Sequence, residues 1–532
     1  MGKKLLCLIM AICFVLGLTA CGGESIAMDN SAKTDATLRG GFVAETADYV
    51  YFINGVESYT TDYKTGKVTK AALMRTKKSN FASLETAEYE TVVSKLIVAD
   101  DTDAGIYING DYVYYAVPSN ENDRTGTVKK DKLNFFRTKL DGTHTSKNIP
   151  GRDFTHAAKY RYIVSGENVY LVVYETDLYV YNADELELIY TTEADEDAKK
   201  VDKIDVAEVL FGDKSVYFTS LPVNKNLSDE ENIQKDSFHH VYKIDFAGKK
   251  ADLVINGEGK KGVAGENDNG VGLLGVTVDL LRVAGDKLYF AYTGLNTNAN
   301  ASPVYVEVAE SALNADSANG WDKNSAFVEL ALTNKNTAGI FADTSIFYNG
   351  LIYYVNSTFG LLSYDNTKAS DAETDFGVSV LYHSDVMVGA TLDFINKEGS
   401  ADVLYFHDST GNYYKLNLTD LNADSKELKL NAIAIDTSWY SPEVVAVGGD
   451  YYFIAVYSDA EYDSYCYAIN VTELEKAYNA LEEDEDKTAF YELADEDEEE
   501  DESAEKVVRA TDFAQRLGVL SAEDMPEEES AE

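Results

Sequence analysis

Between about residues 41 and 470, apolar and polar positions alternate in short bursts, each stopped by Gly, Asp, Asn or Glu. Alternation with period two marks strands, whose successive side chains point to opposite faces of a sheet. One burst keeps returning, a strand with a central Tyr and an aromatic or Leu beside it. Its copies are Tyr49-Val50-Tyr51-Phe52, Tyr112-Val113-Tyr114-Tyr115, Asn168-Val169-Tyr170-Leu171, Ser215-Val216-Tyr217-Phe218, Lys287-Leu288-Tyr289-Phe290, Leu351-Ile352-Tyr353-Tyr354, Val403-Leu404-Tyr405-Phe406 and Asp450-Tyr451-Tyr452-Phe453. Successive copies lie 47 to 72 residues apart, a period that signals a solenoid, a propeller or another array.

Each copy expands into four strands. Residues 158–193 give AKYRYIVS, NVYLVVY, DLYVYNA and ELIYTTE, with Gly166-Glu167, Glu175-Thr176 and Asp184-Glu185 between them. The same order fits 205–256 and 390–435. Short strands separated by such residues predict a meander of antiparallel hairpins, and Asp141-Gly142 is a strong hairpin signal of its own. A four-stranded sheet cannot cover both of its faces, whereas a ring of them covers each face with a neighbour. The expected fold is therefore all-β. It is a β-propeller over 41–470 with eight antiparallel blades, beginning near residues 41, 105, 158, 205, 279, 345, 390 and 442, and with seven as the alternative if one unit is a decorated insertion. The aromatic pairs are expected to pack between blades rather than to bind a ligand. The eighth unit shows no clear fourth strand, so closure is expected from the segment near Gly41 or from Thr488–Leu493. Long connections fall at 119–131, 222–238, 257–278 and 294–301, and function usually sits in such loops on a rigid ring.

The Val/Leu-Tyr-Tyr/Phe strand, followed by Ile244-Asp245-Phe246-Ala247-Gly248 or Thr138-Lys139-Leu140-Asp141-Gly142, resembles the YWTD-type propellers, with Tyr, Phe or Leu where that family has Trp. It is closer still to bacterial extracytoplasmic propellers classed as domains of unknown function. The resemblance covers about residues 41–470. It implies a ring used for binding or scaffolding and carries no ligand with it.

The amino terminus adds a location. Lys3 and Lys4 precede an apolar run, Leu5 to Leu18, that is short for a membrane span and suits the core of a signal peptide. It ends in Leu18-Thr19-Ala20-Cys21, followed by Gly22-Gly23, which resembles the lipobox of bacterial lipoproteins. The resemblance implies that residues 1–20 are removed and that Cys21 carries diacylglycerol. It also implies that the chain is anchored on the extracytoplasmic face of the bacterial cell membrane. Two acyl chains suffice for stable anchoring. Residues 22–40 are polar and small, without periodicity, so 21–40 reads as a tether whose composition predicts a reach of roughly 25 Å.

Charge narrows the partners. With 92 acidic and 46 basic residues the formal charge is −46, which repels nucleic-acid phosphates and anionic membrane surfaces. Residues 473–532 alone hold 24 acidic and five basic residues, with Glu496 to Glu502 unbroken. Like charges at that density resist compaction, so 471–532 is expected to be a mostly disordered tail. Two apolar patches break the pattern, Ala489–Leu493 and Val507–Leu520, the latter an amphipathic helix or a closing strand, and one short docked element is expected.

Chemistry-bearing residues are few. Of the four cysteines only Cys466 remains in the mature chain as a free thiol, set in an apolar strand pattern and expected to be buried and inert. His239-His240 is the densest histidine pair, but neighbours in a strand point to opposite faces and do not readily share a metal. Asp101-Thr102-Asp103-Ala104-Gly105 is a partial calcium-type loop that lacks the distal Glu of a complete one, so Asp101 and Asp103 are weak calcium candidates, a solvated acidic turn being the more economical reading. Trp321-Asp322 is the single Trp-Asp dipeptide, against a WD40 array. No zinc-protease, phosphate-loop or nucleophile-elbow motif occurs, and no catalytic residue is assigned. The expectation is a binding or scaffolding module for a protein or cell-wall glycan, not an enzyme. The alternatives are a carbohydrate-active propeller enzyme, whose acids would be hidden among the many carboxylates, and the solute-binding lipoprotein of a transporter.

Overall fold

A computed structural model describes residues 41–57, 68–98, 105–119, 132–149, 152–191, 204–212, 214–222, 238–257, 275–295, 302–313, 326–335, 339–369, 371–432, 435, 440–458, 464–482, 484–493 and 507–519. Among them, eight antiparallel meanders form the blades of a propeller ring: blade 1 (43–93), blade 2 (107–155), blade 3 (159–191), blade 4 (204–255), blade 5 (275–329), blade 6 (346–382), blade 7 (391–429) and blade 8 (443–517). In every blade the strand order follows the chain, and blade 2 adds a short fifth strand, Phe154–Thr155, on Lys132–Lys139. The eight-blade reading of the repeat holds, and the solute-binding alternative loses its ground, because that class alternates strands with helices.

First strands lie innermost, where neighbouring blades converge. The Gly41 carbonyl accepts from Ile106 N–H at 3.0 Å. Arg161 donates to the Phe211 carbonyl at 3.1 Å, Leu280 N–H to Glu208 at 2.9 Å, Arg282 to the Ser345 carbonyl at 2.6 Å and Ala446 N–H to Glu45 at 3.2 Å. Each bond joins the inner strand of one blade, or its entry, to that of the next.

The repeated tyrosine supplies a second set of ties. Tyr51, Tyr114, Tyr170, Tyr217, Tyr289, Tyr353, Tyr405 and Tyr452 all stand in second strands, opposite Arg75, Arg137, Asn182, Lys243, Glu307, Ser363, Lys415 and Asn470 of the third. Directly opposite side chains share a face and touch. The pair then reaches a group just past the third strand of the next blade. Arg75, wholly buried, donates to Tyr51 at 3.2 Å and to the Leu140 carbonyl at 3.4 Å. Tyr114 donates to Asp184 at 2.9 Å, and Arg137 pairs with the same carboxylate. Tyr217 donates to Glu310 at 2.6 Å while Lys243 lies 3.3 Å from its other oxygen. Asn366 donates to Tyr289 at 2.8 Å. Lys415 joins Glu398, which accepts from Tyr405, to Glu475 at 2.8 Å. Tyr452 donates to the Phe81 carbonyl at 3.3 Å and so ties blade 8 to blade 1. Two copies use apolar contact instead. Tyr170 stacks on Phe246 at 4.5 Å, and Tyr353 packs into the apolar cluster shared by blades 6 and 7.

Closure departs from the expectation. Neither the Gly41 segment nor Thr488–Leu493 gives blade 8 its fourth strand; Ala514–Leu517 does, pairing with Ile469 to Cys466. The closing-strand option for Val507–Leu520 is thus the one realised, and the ring extends to residue 517 instead of ending at 470. The intervening chain leaves blade 8 as two helices, α1 (Val471–Ala480) and α2 (Asp484–Ala489). The Asn470 side chain caps α1 by accepting from Glu473 N–H at 3.1 Å. Val471, Leu474 and Phe490 are buried in the core of blades 7 and 8, and Tyr491 donates to the Lys429 carbonyl at 2.6 Å. These residues hold apolar anchors between the acidic stretches, which is why they dock where the charge pattern alone predicted a disordered tail. Residues 494–506 and 520–532 lie outside the described residues.

The two tie types separate in a mutational test. Tyr217→Phe removes one of two donors to Glu310 Oε1, Ser215 remaining at 3.0 Å, and is expected to cost about 0.5–1.5 kcal/mol. Tyr170→Phe keeps the ring stack on Phe246 and is expected to cost under about 0.5 kcal/mol. Urea unfolding midpoints at constant m-value measure both, and equal losses contradict the assignment.

Candidate functional site

Strand direction decides which end of the ring carries loops. Within each meander the connections from second to third strand leave from the same end as those from fourth strand to the next blade. The turns from first to second strand leave from the opposite end. Those opposite turns are tight: Gly110 and Asp111, Gly166 and Glu167, Gly285 and Asp286, Asn349 and Gly350, Gly399 and Ser400, Gly448 and Gly449 each join two strands directly. The connections 54–72, 119–131, 223–239 and 256–274 belong to the other end, whereas the third-to-fourth-strand connections, 78–89, 310–327, 365–377 and 471–513 among them, leave from the same end as the tight turns. The face with the tight turns, which also carries those third-to-fourth-strand connections and with them α1 and α2, is the hairpin rim, and the face with the second-to-third-strand and blade-to-blade connections is the loop face.

The inner strands carry charged side chains, and these are committed to the ring. Glu45 accepts from Ala446 N–H and pairs with Lys78 at 2.7 Å. Glu208 accepts from Leu280 N–H; burial pushes its carboxyl up, and the neighbouring Asp279 adds to the rise. Among the described residues no group of three or more His, Cys, Asp and Glu side chains is placed to hold a metal ion.

One polar cluster stands at the loop face. His407, at the end of the second strand of blade 7, lies opposite both Thr391 and Tyr413. Its Nδ1 is 2.8 Å from Asp393 Oδ2. The carboxylate accepts, so Nδ1 carries a proton, and in the neutral ring Nε2 is an acceptor. Asp393 sits where the register of the first strand shifts between Leu392 and Phe394. That bulge turns its side chain out of alternation and towards His407. The histidine ring lies 5.1 Å from that of Tyr413, whose buried hydroxyl has no hydrogen-bond partner. Burial raises this hydroxyl's pKa far above the phenol range, with Asp393 adding to it. The histidine and aspartate side chains are 18% and 7% exposed, so the pair is open to solvent only at its tip. The arrangement can accept a proton or a hydrogen bond from a protic group at the loop face. Nothing in the sequence marked it, because a one-residue bulge has no signature in an alternating strand.

The residues singled out from sequence fare differently. Cys21, Asp101 and Asp103 lie outside the described residues. Cys466 is buried, donates to the Ile53 carbonyl at 3.1 Å and accepts from Gly55 N–H at 3.4 Å, and burial pushes its thiol up to about 12. It is a seam residue between blades 8 and 1. Beside it a cleft of about 60 Å³ holds Lys70 and Arg516, both facing the Tyr465 ring. His239 and His240 part as expected. His239 Nδ1 meets the Val278 backbone, while His240 Nδ1 accepts from Gly257 N–H at 3.2 Å.

No family model matches the chain, and no curated protein matches it. Among solved structures it is similar to a chain from a study of two prolyl endopeptidases (12% identity, 69% of this chain and 48% of that one, TM-score 0.36). It is similar also to a post-proline cleaving enzyme from Rickettsia typhi (12%, 84% and 52%, TM-score 0.34) and to BamB from Moraxella catarrhalis (9%, 80% and 92%, TM-score 0.33). The chain spans about half the length of the first two. Likeness at this distance does not transfer an activity.

His240, in the third strand of blade 4, gives the stability of the ring a pH dependence. Burial, with a smaller contribution from His239, lowers its imidazole to about 4. The folded chain therefore holds it neutral, while the unfolded chain protonates it below about pH 6.5. Stability is expected to fall as pH drops from 6.5 towards 4, by about 2 kcal/mol between pH 7 and 5 from this group. His240→Gln should flatten that part of the denaturation profile, and an unchanged slope refutes the assignment.

Proposed function

We propose that the chain is a lipid-anchored extracytoplasmic propeller that binds or scaffolds a protein or cell-wall glycan partner. The observation that carries this reading is that the connections 54–72, 119–131, 223–239 and 256–274 gather on one face of a ring whose inner strands are tied blade to blade. A ring whose inner charges tie blade to blade has its framework fixed independently of its loops. Loops on such a framework are free to be shaped by a partner. Anchoring is supported by the run from Lys3 through Leu18 to Cys21; among the described residues no helix is long and apolar enough to cross a membrane. The charge of −46 supports a partner with a basic or uncharged surface and opposes nucleic acid. Absence of any recognised catalytic motif supports binding over catalysis. The partial calcium-type loop at Asp101 and Asp103 remains the one cation candidate on this reading.

Two measurements test the proposal. Cys21→Ser should abolish incorporation of an alkyne-tagged fatty acid and move the protein from the membrane to the soluble fraction; persistent labelling disproves lipidation at this residue. A photo-crosslinking amino acid at Ser357, in the loop-face turn of blade 6, should give a discrete adduct in cells. The same group at Glu167, on the hairpin rim of blade 3, should give none. An adduct only from Glu167 would reverse the proposed binding face, and none from either position would remove the scaffold reading.

A further inference from the structure

We infer that the ring is held with its loop face towards the membrane and its hairpin rim away from it, an inference that rests on the anchoring proposed at Cys21. The place where the amino-terminal segment joins the ring carries the argument. Gly41 and Phe42 are its first described residues, and both are fixed. The Gly41 carbonyl accepts from Ile106 N–H, and Phe42 is wholly buried and stacked on Tyr440 at 5.1 Å. Ile106 leads into the inner strand of blade 2 and Tyr440 into that of blade 8. The join therefore lies among the entries of three neighbouring inner strands, close to the middle of the ring. All three entries are on the loop face, since Val43 pairs with Phe52, at the end of the second strand from which the long 54–72 connection departs. The other end of the described chain leaves from the same face: the amide and carbonyl of Val519 bind the Asn54 side chain at 3.1 and 2.8 Å.

Magnitudes decide between the two orientations. To bring the hairpin rim to the bilayer, residues 22–40 would have to pass outwards over four strands and then along the height of a blade. Three strand spacings and a strand of seven residues make that path roughly 35–40 Å. The composition of the segment predicts a reach of roughly 25 Å, so the reversed orientation stretches it well past its relaxed span. With the loop face inward no such path is needed. The net charge of −46 opposes close contact of the chain with anionic headgroups. A partner taken by the loop face is consequently met within the tether's reach of the bilayer, as the extracytoplasmic part of a membrane-embedded protein would be.

Blade 7 offers matched reporter positions, because Ser400 in its hairpin turn and Ser409 in its loop-face turn are both exposed. The lipidated full chain carrying a donor dye at Ser400→Cys or Ser409→Cys is bound to phosphatidylcholine vesicles with an acceptor on the headgroups. Energy transfer from Ser409→Cys should exceed that from Ser400→Cys by about twofold, given a height difference of roughly 20 Å. Equal or reversed transfer overturns the inference. If the unaltered chain does not float with vesicles, the anchor falls and the inference with it. A hexahistidine extension before residue 22, held on nickel-chelating lipid, separates the two failures. Greater transfer from Ser409→Cys there upholds the geometry while the anchor alone is lost, and equal or reversed transfer there rejects the geometry itself.

Discussion

The structure depends on one constraint: a four-stranded blade exposes two apolar faces and can cover neither by itself. Every blade must therefore match its neighbours in spacing and tilt, and the repeated tyrosine sets both. Its ring adds apolar area to the interface, and in six of the eight copies its hydroxyl reaches, or a cross-strand partner extends it to, a group in the next blade. A buried hydrogen bond of this kind adds only about 1 kcal/mol net. Leaving its acceptor unpaired costs more, so the tie acts chiefly against wrong register. The ionic versions, Arg137 with Asp184 and Lys243 with Glu310, follow the same logic, since ion pairs near a surface contribute little stability but fix geometry. Blade 3 shows that the polar part is dispensable, because Tyr170 on Phe246 meets the same spacing by stacking.

Closure is the other demand of a ring, and it falls on the last blade. The strand Ala514–Leu517 arrives after the acidic excursion and seats against blade 1 through Asn54, Cys466 and Gln515, which accepts from Leu84 N–H at 2.8 Å. Gly518 lets it do so. Its backbone has φ +100°, and a Cβ there would lie 2.1 Å from Asn54 Oδ1. The buried thiol of Cys466 belongs to this seam, where it bonds on both sides to blade 1. Its raised pKa is a consequence of being packed there and no sign of reactivity.

The sequence made the architecture legible because the repeat is physical. Tyr217 and Tyr289 recur since each solves the same packing problem, so counting copies counts blades. What stayed hidden depended on pairing that no local pattern encodes. Phe490 and Leu517 read as apolar islands in an acidic tail, and only contact with blades 7 and 8 turns them into a docked excursion and a closing strand. His407 and Asp393 were invisible for a related reason. They are separated by a whole hairpin and brought together by a bulge that shifts one strand by a single residue.

The same division explains where chemistry has room. Inner-strand acids such as Glu45 and Glu208 are bonded to neighbouring backbone, so altering them to serve a ligand would loosen the ring. Acids converging on the centre, as a carbohydrate-active propeller would require, have that competing structural duty here. On the loop face of blade 7 Asp393 orients His407 within its own blade, and neither residue ties one blade to the next. A group held by its own blade can change partner without disturbing the neighbouring blades. The loop face thus holds both kinds of residue side by side: Asn54 and Gly41 tie neighbouring blades at the seam, while His407 is held by its own blade alone.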